Sequence, residues 1–235
     1  FGNHSRQTQC TNIQHRHSKR IMAAISASGR WIAFAPKGGL TTIMQYAHAG
    51  VAQEVHHNHQ HPVRDVTIVC RDPWLRAISI YYYNMCTMPY NKDYNHAVAD
   101  ANGGEYKRLY DQIRHVFPQP SELSVDAPRF LYWIDQVLPK TIHTDGHTMT
   151  QTFSWRLPTG VNWQDNKVEW WRLQDLNHHL LQEFGWVPQL QNKQSYHRKR
   201  ALKLLELDGV RDAIHKYYAE DFAAYETAQQ QYRSR

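Results

Sequence analysis

An α/β fold with a central, mainly parallel sheet flanked by helices is predicted by three observations. Two buried-strand patterns, Trp31-Ile-Ala-Phe and Val66-Thr-Ile-Val-Cys70, each run through a turn into a helix signal. A third, Val168-Glu-Trp-Trp-Arg-Leu173, does the same before a helical stretch closing at Gly185. Parallel neighbours need crossover connections, and strand, turn and helix in succession supply them. With 235 residues the chain is long enough for a real core, so 21–235 reads as one domain.

Residues 1–20 are polar and rich in His, Arg and Gln, and read as a flexible arm. A short amphipathic stretch at 21–28 leads into the first strand. Pro36 ends that strand because it cannot donate to a ladder. Gly38 and Gly39 allow a tight turn with close backbone approach to a ligand, and Leu40 leads on to Thr41 or Thr42 as N-cap of a helix over 41–50. The free N–H groups and positive dipole end of that helix, with Lys37 beside them, form an anion cradle. Glu54-Val-His-His-Asn-His-Gln-His61 invites a metal reading, but no ligand spacing supports it, and a solvated loop is expected.

At the second corner, Asp72 suits an N-cap and Pro73 a first helical turn, with Arg71 at the carboxyl end of the strand and Ser79 two turns into the helix. That edge of an open α/β sheet is where ligands bind. Residues 87–104 read as a mobile loop, 105–116 as a helix, and 128–138 as a helix with Phe130, Leu131, Ile134 and Leu138 on its apolar face. The stretch 141–166 is turn-rich. Trp155 and Trp163 in it suit a core better than a sugar platform. A basic loop at 192–200 precedes the last helix, 209–232, where Val210, Ile214, Tyr217, Tyr218, Phe222 and Tyr225 recur near helical spacing.

Composition bounds the partners. Hydrophobic residues make up 41% with no run of membrane-spanning length. The net charge is +6 with sixteen histidines uncounted, which points to anionic partners, and no nucleic-acid motif accompanies it. Three cysteines give no disulfide framework, so Cys70 and Cys86 read as small hydrophobes. The sparse count leans towards a reducing compartment. The chain starts at Phe1 with no signal peptide, so a trimmed chain is expected and an upstream anchor stays open: cytoplasm for a prokaryotic protein, Golgi lumen for a trimmed eukaryotic one.

The order of the first loop is informative. A Walker A loop places its lysine after the last glycine, whereas Lys37 precedes Gly38 and Gly39 and Thr41-Thr42 follows. This order resembles the 5′-phosphosulfate loop of sulfotransferases that use 3′-phosphoadenosine-5′-phosphosulfate (PAPS), which runs roughly Pro-Lys-x-Gly-(x)-Thr-Thr/Ser. Arg71-Asp-Pro73 with Arg76-Ala-Ile-Ser79-Ile-Tyr-Tyr-Tyr83 resembles the 3′-phosphate motif of the same family, especially the uronyl 2-O enzymes. The chondroitin and HNK-1-type carbohydrate sulfotransferases stand close behind. The resemblance spans roughly residues 30–228 and implies a P-loop-like three-layer fold. It implies cofactor contacts from Pro36, Lys37, Gly38, Gly39, Leu40, Thr41, Thr42, Arg71 and Ser79.

Looser likenesses follow. Asn192-Lys-Gln-Ser-Tyr-His-Arg-Lys-Arg200 is similar to a Lys-Ser-His-x-Arg-Lys stretch of the uronyl 2-O enzymes, which implies Ser195, Arg198 and Lys199 near the 3′-phosphate. Asp111-Gln-Ile-Arg-His-Val-Phe-Pro-Gln119 is similar to Asp-x-His-Trp-x-Pro-Gln of the chondroitin and HNK-1-type enzymes, with a longer Asp–His spacing. That makes His115 a candidate base. The family's base often lies between the two cofactor motifs, which adds Glu54, His56, His57 and His59. Tyr218, Asp221, Phe222 and Tyr225 match a closing helix and read as structural.

The reaction implied is in-line transfer of a sulfuryl group from PAPS to a hydroxyl, most naturally of a carbohydrate and compatibly an anionic one, with 3′,5′-ADP (PAP) as product. Lys37 would stabilise the leaving oxygen, a His or Glu would take the proton, and no metal is expected. A P-loop nucleotide kinase and a non-catalytic nucleotide-binding module are the other readings. The acceptor, the sulfated position and the oligomeric state stay open.

Overall fold

The computed structural model describes residues 23–25, 30–35, 37, 53–55, 65–91, 104–120, 126–159, 168–185 and 201–233. It is mixed α/β. One sheet runs in the order β3-β1-β2-β4-β5, with β1 Ala23–Ile25, β2 Trp31–Phe34, β3 Gln53–Val55, β4 Val66–Cys70 and β5 Val168–Arg172. The helices that matter below are α1 Pro73–Tyr81, α2 Glu105–Val116, α3 Ala127–Tyr132, α4 Leu138–Thr141, α5 Gln151–Thr159, α6 Leu176–Phe184 and α7 Val210–Arg233.

The three strands expected from β-branched and aromatic runs are β2, β4 and β5. They are parallel, with Trp31 opposite Val66 and Val66 opposite Val168. Central β4 is buried along its whole length, as a strand covered on both faces must be. In the other half of the sheet β1 pairs antiparallel with both β2 and β3, so β1 alone runs against the other four strands. Residues 26–30 alone separate β1 from β2, too few for a crossover, so the two close as a hairpin. Gln53–Val55 is therefore edge strand where loop was expected, and Ala23–Ile25 is strand where a lead-in was expected.

Strand alternation distributes side chains to two faces. Trp31, Ala33, Ile68, Cys70 and Trp170 pack with Trp155 of α5 and with Ala224 and Ala228 of α7. The two alanines, one helical turn apart, let α7 lie close to the sheet. Ile32, Phe34, Val69 and Trp171 pack instead with Leu176 and Leu180 of α6. A separate helical core joins α1, α2, α3, α4 and the first half of α7, around Tyr81, Phe130, Trp133, Ile134 and Ile214.

Local signals set most boundaries. Asp72 caps α1, its Oδ1 accepting from the N–H groups of Trp74 at 2.8 Å and Leu75 at 3.2 Å, with Pro73 next. The regular α-helix ends at Tyr81. It widens into a π-helical stretch, Tyr82–Thr87, and a 3₁₀ turn, Met88–Tyr90. Such widened turns recur at functional sites, and this one carries Tyr83. The helix expected over 128–138 is α3 and α4 joined by a π-helical stretch, Trp133–Val137. Phe130, Ile134 and Leu138 are buried as expected, but Leu131 is 40% exposed, off the apolar stripe. Within the turn-rich 141–166 stretch lies a helix not expected, α5; Thr152, Thr159 and Pro158 mask it by weak helix propensity. Trp155 is core, edge-on to Trp170 at 5.6 Å.

Burial pushes the Cys86 thiol from its ordinary 9.0 up to about 11, and the Tyr82 phenol from 10.0 up to about 12. A group whose pKa is raised by folding contributes stability below its unfolded value and loses it as pH climbs through the folded one. The melting temperature is therefore expected to fall as pH rises from about 9 to about 12, and Cys86→Ala should blunt the lower part of that fall. A flat pH–melting curve over this range would contradict the burial of both groups.

Candidate functional site

Because β2 and β4 are parallel neighbours, their carboxyl ends emerge side by side. Lys37 lies just past β2 and Arg71 just past β4. The two touch: the Arg71 guanidinium donates from Nη1 to the Lys37 carbonyl oxygen. Lys37 itself adopts a left-handed backbone, φ 62°, which costs a residue with a Cβ about 1–2 kcal/mol. A glycine would sit there without that cost, and strain of this kind clusters at functional sites.

Arg71 is only 6% exposed, and its buried Nε has no hydrogen-bond partner among the described residues. A buried guanidinium N–H left unsatisfied is expensive, and an anion at this edge would satisfy it. The main chain of Arg71 is clamped by Gln151 at the start of α5. Its N–H donates to Gln151 Oε1 at 3.0 Å, and Gln151 Nε2 donates back to its carbonyl at 2.9 Å. That fully buried amide extends the ladder one residue past β4 and fixes Arg71. Ser79 is half-buried on α1.

The Lys37 ammonium lies 4.2 Å from the centroid of the Tyr83 ring, within cation–π reach. Tyr83 in turn stacks on His147, centroids 4.2 Å apart and planes 27° from parallel. His147 Nδ1 is 3.1 Å from Asp145 Oδ1, and both side chains are nearly buried. Asp145 also accepts from the His147 N–H at 2.9 Å and the Thr148 hydroxyl at 3.3 Å.

This turn is braced from two helices. Arg76 of α1, 1% exposed, donates from Nη2 to the carbonyls of Met149 at 2.5 Å and His147 at 3.5 Å. From Nη1 it pairs with the fully buried Asp221 of α7 at 3.4 Å. Burial pushes the Asp221 carboxyl up, opposed by Arg76 and by the N–H donors of residues 151 and 152. Tyr218, also of α7, donates to the Thr148 carbonyl at 2.8 Å, and Asn84 donates to the Thr148 hydroxyl at 3.1 Å. The closing-helix residues Tyr218 and Asp221 thus hold the turn that carries His147.

Of the residues singled out in the sequence, the fold brings Lys37 and Arg71 together at one sheet edge. Glu54 lies on edge strand β3, separated from β2 by β1, about 10 Å away across two inter-strand spacings. His115 is exposed in the last turn of α2, and no described contact joins it to Lys37, Tyr83 or Arg71. Pro36, Gly38, Gly39, Leu40, Thr41, Thr42, His56, His57, His59, Trp163, Ser195, Arg198 and Lys199 lie outside the described residues.

Sequence reasoning missed Tyr83, Asp145, His147 and Gln151. A signal was present: Asp145-Gly-His147-Thr-Met-Thr-Gln151 has the Asp-x-His and His-to-Gln spacings of the Asp-x-His-Trp-x-Pro-Gln pattern. The 111–119 stretch stretches the first of these. A groove of about 410 Å³, lined by Tyr106, Arg108, Lys140 and Thr144 among others, reaches the residue before Asp145. Among the described residues no three or more His, Cys, Asp or Glu side chains gather as metal ligands, and no helix is long and apolar enough to cross a membrane.

Comparison with family models, with curated proteins and with solved structures finds no match to this chain.

Proposed function

We propose that this protein is a PAPS-dependent sulfotransferase, built on a P-loop-like three-layer fold and acting on a carbohydrate hydroxyl. The observation that carries the reading is Arg71 at the carboxyl edge of β4, in contact with the main chain of Lys37, its buried Nε without a partner among the described residues. An arginine suited to a phosphate and a lysine suited to a leaving oxygen stand where an α/β sheet binds nucleotides. The mixed sheet with helices against both faces is compatible with that fold.

When bound, PAPS supplies an activated sulfuryl group carrying a single negative charge. Lys37 neutralises charge building on the 5′-phosphate oxygen. Arg71, with Ser79 and the loop after Lys37, grips the phosphates and so supplies positioning. The groove along α2, lined by Arg108, Lys140 and Glu105 and reaching Thr144, suits a polar acceptor.

Thermal shift tests the reading. At one hundred times its dissociation constant, 3′,5′-ADP is expected to stabilise the fold by about 2.7 kcal/mol, and Arg71→Ala to abolish that shift. ATP with magnesium should give none. A shift with ATP·Mg and none with 3′,5′-ADP would assign the protein to the kinases instead. A shift with 3′,5′-ADP and no sulfate transfer to any acceptor would leave a binding module.

A further inference from the structure

In an in-line transfer the base lies near the leaving-group lysine but across the sulfur from it, in a defined tautomer, on a rigid support. One aromatic ring separates His147 from the Lys37 ammonium: Tyr83 takes the cation at 4.2 Å and stacks on the imidazole at 4.2 Å. A carboxylate on Nδ1 keeps the proton there, which makes Nε2 the accepting nitrogen, and it stabilises the imidazolium formed afterwards. Asp145 is itself held by the Thr148 hydroxyl and the His147 N–H. The turn is locked by Arg76, Asn84 and Tyr218.

We propose that His147, oriented by Asp145, is the general base that deprotonates the acceptor hydroxyl. This rests on the sulfotransferase reading. The acceptor oxygen bonds to sulfur as the bond from sulfur to the 5′-phosphate oxygen breaks. The electron pair of that bond stays on the phosphate oxygen beside Lys37, and the hydroxyl proton goes to Nε2 of His147. Among the described residues, the charged or titratable groups facing the imidazole include Asp145 in its own turn, Lys37 and Tyr83 across the stack, and Arg76 behind its carbonyl. Asp221 and Tyr218 lie one contact further, on α7.

The test uses the full chain with ³⁵S-labelled PAPS and the fastest acceptor among desulfated heparin, desulfated chondroitin and water. His147→Gln is expected to lower kcat by about 10²–10⁴-fold and to erase the acid limb of the pH profile. Binding of 3′,5′-ADP should stay within about twofold. Added imidazole should partly rescue His147→Gly. Asp145→Asn keeps an acceptor for the turn but removes the charge, so the acid limb should move to lower pH. Wild-type kcat in His147→Gln, or an unmoved limb in Asp145→Asn, would overturn the assignment even while 3′,5′-ADP binding and wild-type transfer uphold the sulfotransferase. Wild-type protein that neither binds 3′,5′-ADP nor transfers sulfate would bring down both.

Discussion

Lys37→Ala is expected to cut turnover by about 10²–10³-fold, the loss typical of removing one preorganised charge or donor aimed at a developing oxyanion. The fold and 3′,5′-ADP binding should persist, because Arg71 and its Gln151 clamp do not depend on the lysine side chain. Lys37→Gly sharpens the test. It removes the same ammonium but relieves the left-handed strain at φ 62°. The relief of about 1–2 kcal/mol exceeds or matches glycine's extra unfolded entropy of about 0.5–1 kcal/mol. Stability should therefore hold or rise while turnover is lost, the signature of a strained functional residue. Measured together, kcat and the urea midpoint decide the matter. A Lys37→Gly variant with wild-type turnover would refute the role, and one that unfolds would make Lys37 a structural residue.

Breaking the Arg76–Asp221 pair should have the largest effect on stability. Removing one partner of a buried ion pair leaves the other uncompensated and typically costs about 3–5 kcal/mol, a large part of a domain's usual 5–15. Arg76→Ala should be the worse of the two substitutions, since it also strips donors from the His147 and Met149 carbonyls. Its penalty depends on pH with a defined sign. Burial already raises the Asp221 carboxyl against the pull of Arg76. Without the guanidinium it rises further. The neutral acid is tolerated below the ordinary carboxyl range, and the cost grows as pH climbs above it. The difference in melting temperature between wild type and Arg76→Ala should thus be smaller at pH ~4 than at pH ~8. An equal difference at both would mean that the Asp221 charge is not what the arginine compensates.

The strands β2, β4 and β5 and helices α1, α2, α6 and α7 were legible because each is written in neighbouring residues. The run Val66-Thr-Ile-Val-Cys70 has no amphipathic option, Asp72-Pro73 starts α1 by capping, and Gly185 stops α6 in a left-handed conformation. The three-residue strands β1 and β3 were not legible, since their pairing comes from hairpin closure and edge addition rather than from composition. Helix α5 escaped for the opposite reason: packing of Trp155 against Trp170 outweighs weak local propensity.

From local chemistry alone, then, the sequence determined two corners of an α/β sheet, each ending in a cation where an anion could bind. Two stretches carry an Asp–His–Gln spacing, 111–119 and 145–151, and tertiary structure decided which of their histidines reaches Lys37 through Tyr83. Lys37, Tyr83 and His147 are far apart along the chain, and their stacking depends on parallel pairing of β2 with β4, on the widened turn after α1, and on a buried ion pair with α7. No spacing rule within one segment encodes a contact made by three elements, because its energy is realised only when all three are packed.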